Sequence, residues 1–225
     1  MLEHVPNLVP PCGGFLEGAR ASARFEWQPD SQLWLRSPGA ESFVDLENAL
    51  ALEVATRSPR YLFVHAGAVR YRDRVLVLPG VSRAGKSTLV EALVRRGALY
   101  YSDEFAVFHP DGGIRPYPRK LCLKANPSRP QPIRLDPESL GWTPRLRAAR
   151  LGWLLDCRFG KRDCLQPISP GEALLSLFAN AVAARTRARA LFHSLSRALI
   201  GVPALRGIRG EAEATAAWLM DWMSA

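Results

Sequence analysis

Residues 77–89 read VLPGVSRAGKSTL. Eight of them, Gly80, Val81, Ser82, Arg83, Ala84, Gly85, Lys86 and Ser87, fit the pattern G-x-x-x-x-G-K-[ST], and Thr88 comes next. Each choice has a physical reason. Gly80 and Gly85 can reach backbone conformations closed to residues with a Cβ, so successive amides can turn toward an anion. Lys86 brings a point charge to the β and γ oxygens of a triphosphate. Ser87 offers a hydroxyl to Mg2+, and a helix starting there adds its positive end. The flanks agree, with an apolar strand before and helical spacing after. The stretch predicts a loop for a nucleoside triphosphate, with ATP and Mg2+ as the expected ligands.

Upstream, two β-rich runs at 61–69 and 74–78 flank the polar connector YRD, which predicts a hairpin. The strand entering the loop therefore pairs antiparallel with its predecessor. Leu46, Ala49, Leu50 and Val54 predict a helix over 44–55, and short strands are expected at 23–27 and 32–35. Downstream, a helix over 87–96 is closed by Gly97. Strands follow at 98–101, 105–108 and 121–124, with a turn at PDGG (110–113), as a hairpin or meander. Residues 125–150 are rich in Pro and Arg and read as irregular or partly helical. A strand at 151–159, helices at 169–184 and 187–200, a short strand at 205–208 and a helix at 211–223 complete the chain. Pro170 suits the first helical position. The sum is one α/β domain over 1–225: strands and a helix to 59, a nucleotide-binding core at 60–125, and a helical C-terminal part from 126.

The chain has 225 residues, and its net charge is +9. Only four of its thirty basic residues are lysines, Lys86, Lys120, Lys124 and Lys161. A basic surface can meet nucleic acid, a membrane or an acidic substrate. Apolar runs are too short to span a bilayer, and no secretory signal is visible, so a cytoplasmic location is expected. Cys12, Cys122, Cys157 and Cys164 form no C-x-x-C pair, which favours free thiols over a zinc site.

Two carboxylates could do the chemistry beside a triphosphate. Asp103 and Glu104 close the strand after the loop helix, where one acid can hold Mg2+ and the other can accept a proton. Asp156, at the end of LGWLLD, is the alternative acid if the chain is a regulatory ATPase. A GTPase would carry an Asn/Thr-Lys-x-Asp motif, and none is present.

The run VHAGAVRYRDRVLVLPGVSRAGKSTLVEALVRRGALYYSDEFAVF resembles the catalytic domain of the HPr kinase/phosphorylase family and its shorter relatives. The shared pieces are His65 on a strand, the hairpin around Arg72, the loop from Gly80 to Thr88, Arg96-Gly97, and the acidic pair Asp103-Glu104. The resemblance implies a P-loop kinase with a phosphoenolpyruvate-carboxykinase-like mixed sheet. It implies Mg2+-dependent phosphoryl transfer from ATP to a hydroxyl, with a serine of a peptide or protein preferred and a small hydroxyl compound such as free serine as the alternative. Some shorter relatives serve ribosomal-peptide biosynthesis, including lasso-peptide precursors. Asp103 would be the base, Ser87 and Glu104 the metal ligands, and His65 would lie near the phosphates, although a core histidine fits the same pattern. Relatives form homo-oligomers. Glu104 stands where Asp is usual, and Arg83 where Gly is common.

Arg119, Lys120 and Lys124 supply cations on the following strand, able to grip a substrate or screen the transferred group. A charged strand edge explains them equally well. Arg145, Arg147, Arg150, Arg185, Arg187 and Arg189 make the C-terminal half basic. Aromatics for stacking nucleic-acid bases are sparse there, so a solvated face, or a dock for a peptide carboxylate, is the expected role.

Overall fold

The computed structural model describes residues 43–80, 84–124, 131–161 and 163–225. The expected strands at 23–27 and 32–35, Cys12, and loop residues Val81, Ser82 and Arg83 lie outside them.

The hairpin forms as the sequence requires. Strand β1 (Leu62–Tyr71) turns at Arg72 and Asp73 into β2 (Arg74–Pro79), with Tyr71 opposite Arg74. Arg72 takes φ 53, and its carbonyl accepts from Arg70 Nε at 2.8 Å, which steadies the tight turn. Helix α1 (Phe43–Arg57) precedes the hairpin, and α2 (Lys86–Arg95) follows the glycine-rich loop. Gly97, at φ 99, ends α2 because a left-handed residue stops the helix.

Strands β3 (Leu99–Ser102) and β4 (Phe105–Phe108) both pair antiparallel with β1, one at each end of it. Strand β5 (Gly113–Arg115) pairs with β4. A separate two-stranded sheet joins β6 (Leu121–Leu123) to β7 (Ile133–Leu135). A 3-10 turn (Pro137–Leu140) leads to β8 (Ala149–Phe159). Then come β9 (Cys164–Pro167), α3 (Pro170–Ala179), α4 (Ala188–Ala198), β10 (Ala204–Arg209) and α5 (Ala212–Ser224).

The result is a mixed α/β fold around an eight-stranded mixed sheet. Strands β2, β8 and β10 run parallel, and the other pairings are antiparallel. Because β8 pairs with both β2 and β5, the pairings β1–β2–β8–β5–β4–β1 close on themselves.

Alternation along β2 explains the layering. Leu76 and Leu78 face a core with Leu89 and Leu93 of α2 and Ala216 and Leu219 of α5. Val75 and Val77 face the opposite core, with Leu177 of α3 and Leu191 and Leu195 of α4. The strand that delivers the loop is thus clamped on both faces. Each of these leucines contributes about 1.5–3 kcal/mol by its burial.

Four expectations need correction. Residues 121–123 do not extend the 105–108 hairpin; β4 pairs with β5, and β6 finds its partner in β7. The 125–150 segment holds that strand and the 3-10 turn, where prolines hid any periodicity. The C-terminal part is not mainly helical, since it carries the long β8 with β9 and β10. Helix α3 stops at Ala179, not 184, because the chain leaves it to bridge Val64 at Ala181. Its start matches expectation: Ser169 and Glu172 form a reciprocal capping box ahead of Pro170.

Arg187 is also not part of a solvated face. Its guanidinium donates to the carbonyls of Ser58, Pro59 and Tyr61 at 2.7, 2.9 and 3.1 Å, tying α4 to the entrance of β1. Arg187→Ala is expected to cost about 2–3 kcal/mol by leaving these carbonyls short of donors, read as a lower denaturation midpoint in urea. An unchanged midpoint would show that water replaces the guanidinium at no cost. Among the described residues no helix is long and apolar enough to cross a membrane.

Candidate functional site

The site is assembled where β2 meets α2. Gly85 sits at the N-cap of α2 with φ 82, a conformation that favours glycine. No side chain caps this end and no acid lies in its first turn, so its amides keep their positive pole. Lys86 folds back, and its Nζ donates to the Gly80 carbonyl at 2.6 Å. Burial pulls the Lys86 ammonium below its usual range, with Glu104 and Asp103 opposing.

The acids reach this place through a bend. Strand β3 pairs with β1 near Ala68–Arg70, and β4 pairs with it at Leu62–His65, so the chain must turn between them. Ser102 Oγ accepts from the amides of Glu104 and Phe105 at 3.2 and 3.0 Å and fixes the turn. Ala66 N donates to the Glu104 carbonyl at 3.1 Å. Asp103 and Glu104 therefore project from a braced corner.

Asp103 is the centre of the cluster. Its Oδ2 accepts from Ser87 Oγ at 2.9 Å, joining β3 to the start of α2. Its Oδ1 lies 3.0 Å from the hydroxyl of fully buried Tyr100, which also lies 2.9 Å from the Arg119 carbonyl. Burial raises the Asp103 carboxyl above its ordinary range, against the hydrogen bonds from Ser87 and Tyr100. Burial also raises Glu104, with Arg119 and Lys86 opposing. Glu104 Oε1 stands 3.5 Å from His65 Nδ1. Burial, then Lys86, lowers the His65 imidazole, so it is neutral near pH 7 and packs edge-on against Phe105.

The expected residues thus divide. His65, Lys86, Ser87, Asp103 and Glu104 converge beside Gly80 and Gly85; Ala84 and Thr88 flank the same turn. Ser87 touches Asp103, the residue expected to be the base, while Glu104 turns toward His65. Arg119 is nine-tenths buried, on the same strand parity as buried Leu121 and Leu123. Its Nη2 meets Glu47 at 3.4 Å and Asn48 at 3.2 Å, while its Nη1 is buried with no hydrogen-bond partner. Lys120 pairs instead with Asp136 at 2.9 Å, bracing β6 against the chain after β7. Lys124 is exposed just past β6. Asp156 lies on β8 and pairs with Arg206 at 2.9 Å.

Two residues here were not singled out in the sequence. In the sequence Tyr100 carries only a strand signal, although a tyrosine three residues before an acid can reach back to it. Arg209 follows the strand expected at 205–208 and is the last residue of β10. It is 3% exposed, and its guanidinium donates to the carbonyls of Gly85 at 2.8 Å and Gly210 at 2.7 Å. Only the pairing of β10 with β8 brings it to the loop, a long-range fact with no local signal.

A cavity of about 620 Å3 opens on the α3 side of the loop, between Gly80 and Ala84, Leu175 and Ser176 of α3 with Asn180 just past it, Asp156 of β8 and Arg206 of β10. It does not reach Asp103. Among the described residues no group of three His, Cys, Asp or Glu side chains gathers to hold a metal alone. No family model matches the chain, and no curated protein matches it in sequence.

Proposed function

We propose that this chain is a kinase that transfers the γ-phosphoryl group of ATP to a hydroxyl, preferentially a serine of a peptide or protein. The observation that carries the reading is the Ser87–Asp103 hydrogen bond, which sets a partly buried carboxylate beside the helix N-terminus and Lys86. The hairpin entry to the loop and the mixed sheet are in keeping with a P-loop kinase of the HPr-kinase-like, phosphoenolpyruvate-carboxykinase-like kind.

The loop amides and Lys86 hold the β- and γ-phosphates. The acceptor oxygen bonds to the γ phosphorus while the bond from that phosphorus to the bridging oxygen breaks, and ADP leaves. The acceptor proton passes to the Asp103 carboxylate. Burial raises the proton affinity of that carboxylate and so suits it to the task. Ser87 and Glu104 offer hard oxygen donors that Mg2+ takes, and Mg2+ ordinarily completes its shell with water and phosphate rather than a full protein cage. When bound, the ion neutralises charge on the phosphate oxygens. Arg119, with Nη1 unspent and close enough to lower both acids electrostatically, is placed to screen the transferred group.

The regulatory-ATPase reading needs Asp156 at the γ-phosphate. Asp156 lines the cavity beside Gly80 and Ala84 but is engaged with Arg206, whereas the Ser87 hydroxyl is held by Asp103. The two readings separate in a steady-state ADP assay with and without hydroxyl acceptors. ADP formation is expected to require an acceptor and to survive in Asp156→Asn. Acceptor-independent hydrolysis that Asp156→Asn stops would overturn the kinase reading.

Arg119→Lys is expected to lower kcat by about 10- to 100-fold with little change in KM for ATP, because the planar donor fork is lost while the charge stays. Equal loss in KM alone would make Arg119 a binding residue.

A further inference from the structure

We propose that the nucleoside of the bound triphosphate lies over the carboxyl ends of β8 and β10, with its base stacked on the open face of Phe159. The proposal rests on the triphosphate reading above and adds a direction to it.

Direction comes from strand order. The loop follows β2. On one side, across β1, stands β3 with Asp103 at its end; on the other side stand β8 and then β10. At roughly 4.8 Å per strand, β3 and β10 each lie about 10 Å from the loop strand. With the γ-phosphate at Asp103, the rest of the nucleotide must run toward β8 and β10. Strands β2, β8 and β10 are parallel, and ligands of such sheets bind beyond the carboxyl ends. All three strands are followed by glycine, at Gly80, Gly160 and Gly210, and at the last two the space a Cβ would take is filled by Ile208 and Asp163.

Phe159 is the last residue of β8. Along that strand Trp153, Leu155 and Cys157 pack against the α2–α5 core, and Phe159 continues their parity past the edge of that core. It remains 54% exposed. A Cβ placed on Gly85 would be 3.6 Å from the Phe159 Cβ, so the ring begins directly beside the loop. The Arg209 guanidinium lies over the ring, 5.4 Å from its centroid. A flat apolar surface, braced by a cation and open to solvent, suits a nucleobase.

Arg209 supplies the second observation. It is almost wholly buried and has no carboxylate within ion-pair distance among the described residues. Its Nε is buried without a hydrogen-bond partner. The Asp163 and Glu211 carboxylates act on it through space, but burial still outweighs them, and a further anion close by offsets the remaining cost. The phosphate nearest the nucleoside is such an anion.

The rival location is the cavity on the opposite, α3 side of the loop. Both are tested by equilibrium binding of Mg·ATP and of inorganic tripolyphosphate to the whole chain, its Phe159→Ala and Phe159→Tyr variants, and Leu175→Arg, which fills the cavity. Phe159→Ala is expected to weaken ATP about tenfold and leave tripolyphosphate unchanged, with Tyr restoring ATP and Leu175→Arg leaving both intact. Unchanged ATP affinity in Phe159→Ala overturns the proposal. So does equal weakening of both ligands, which makes Phe159 a prop for the loop. Selective loss of ATP in Leu175→Arg moves the nucleoside into the cavity. If the unaltered chain binds neither ligand, the triphosphate reading itself fails and the proposal with it.

Discussion

Asp103→Asn is expected to lower the proposed phosphoryl transfer by about 10²–10⁴-fold while leaving the protein no less stable at pH 7. The first half follows from the loss of the proton acceptor at the site. The amide keeps an oxygen for Ser87 Oγ, so the joint between β3 and α2 survives. The second half follows from burial, which raises the Asp103 carboxyl above its ordinary value of 3.8. A carboxyl whose pKa is higher folded than unfolded is ionised at a cost to the fold. That cost is in force above the folded pKa and vanishes below the unfolded one. Thermal unfolding should therefore show Asp103→Asn at or above the parent in Tm at pH 7, with the gap closing as pH falls toward about 4. The parent's transfer rate should fall in the same direction, as acid protonates the base. A variant that keeps full activity removes Asp103 from the chemistry, and a large drop in Tm shows its role to be structural.

Gly207→Ala is expected to cost about 3–5 kcal/mol, among the largest effects of any single methyl group in this chain. Gly207 takes φ 150, and a Cβ there would stand 1.8 Å from the Cys164 carbonyl oxygen and 2.9 Å from its carbon. Both atoms are backbone of β9, so no flexible side chain can give way. The register binds Gly207 to Leu165 on one side and Cys157 on the other. The chain must break either the β9–β10 pairing or the β10–β8 pairing. Since β10 carries Arg209 to the loop, nucleotide affinity should fall with stability. A thermal melt should show Tm lower by roughly 10 °C or more. An unchanged Tm would mean that β9 moves away freely.

The parts legible in the sequence were those with local causes. The hairpin announced itself by two β-rich runs around a polar connector, and α2 by helical spacing between Gly85 and Gly97. Asp103 and Glu104 were legible because the loop-helix-strand interval brings its end back to where it began. What was hidden depended on pairing at a distance. Nothing local says that β6 pairs with β7 across a proline-rich interval, or that β8 sits between β2 and β10. Arg209 is the sharpest case: 124 residues separate it from the Gly85 carbonyl it holds. Among the basic residues, alternation should have separated Arg119, which shares parity with buried Leu121, from Lys120, which does not. Arg187 looked like one of several surface arginines, and only its three carbonyl partners mark it as a structural tie.

The most direct measurement is mass spectrometry of hydroxyl acceptors, serine-bearing peptides and free serine, incubated with ATP, Mg2+ and the parent, Asp103→Asn or Asp156→Asn. The predicted result is the mass of one phosphate added to a serine hydroxyl by the parent and by no Asp103→Asn sample. Phosphorylated product formed equally by both would contradict the placement of the base. ATP converted to ADP and inorganic phosphate, with no acceptor modified and with activity lost only in Asp156→Asn, would contradict the kinase itself.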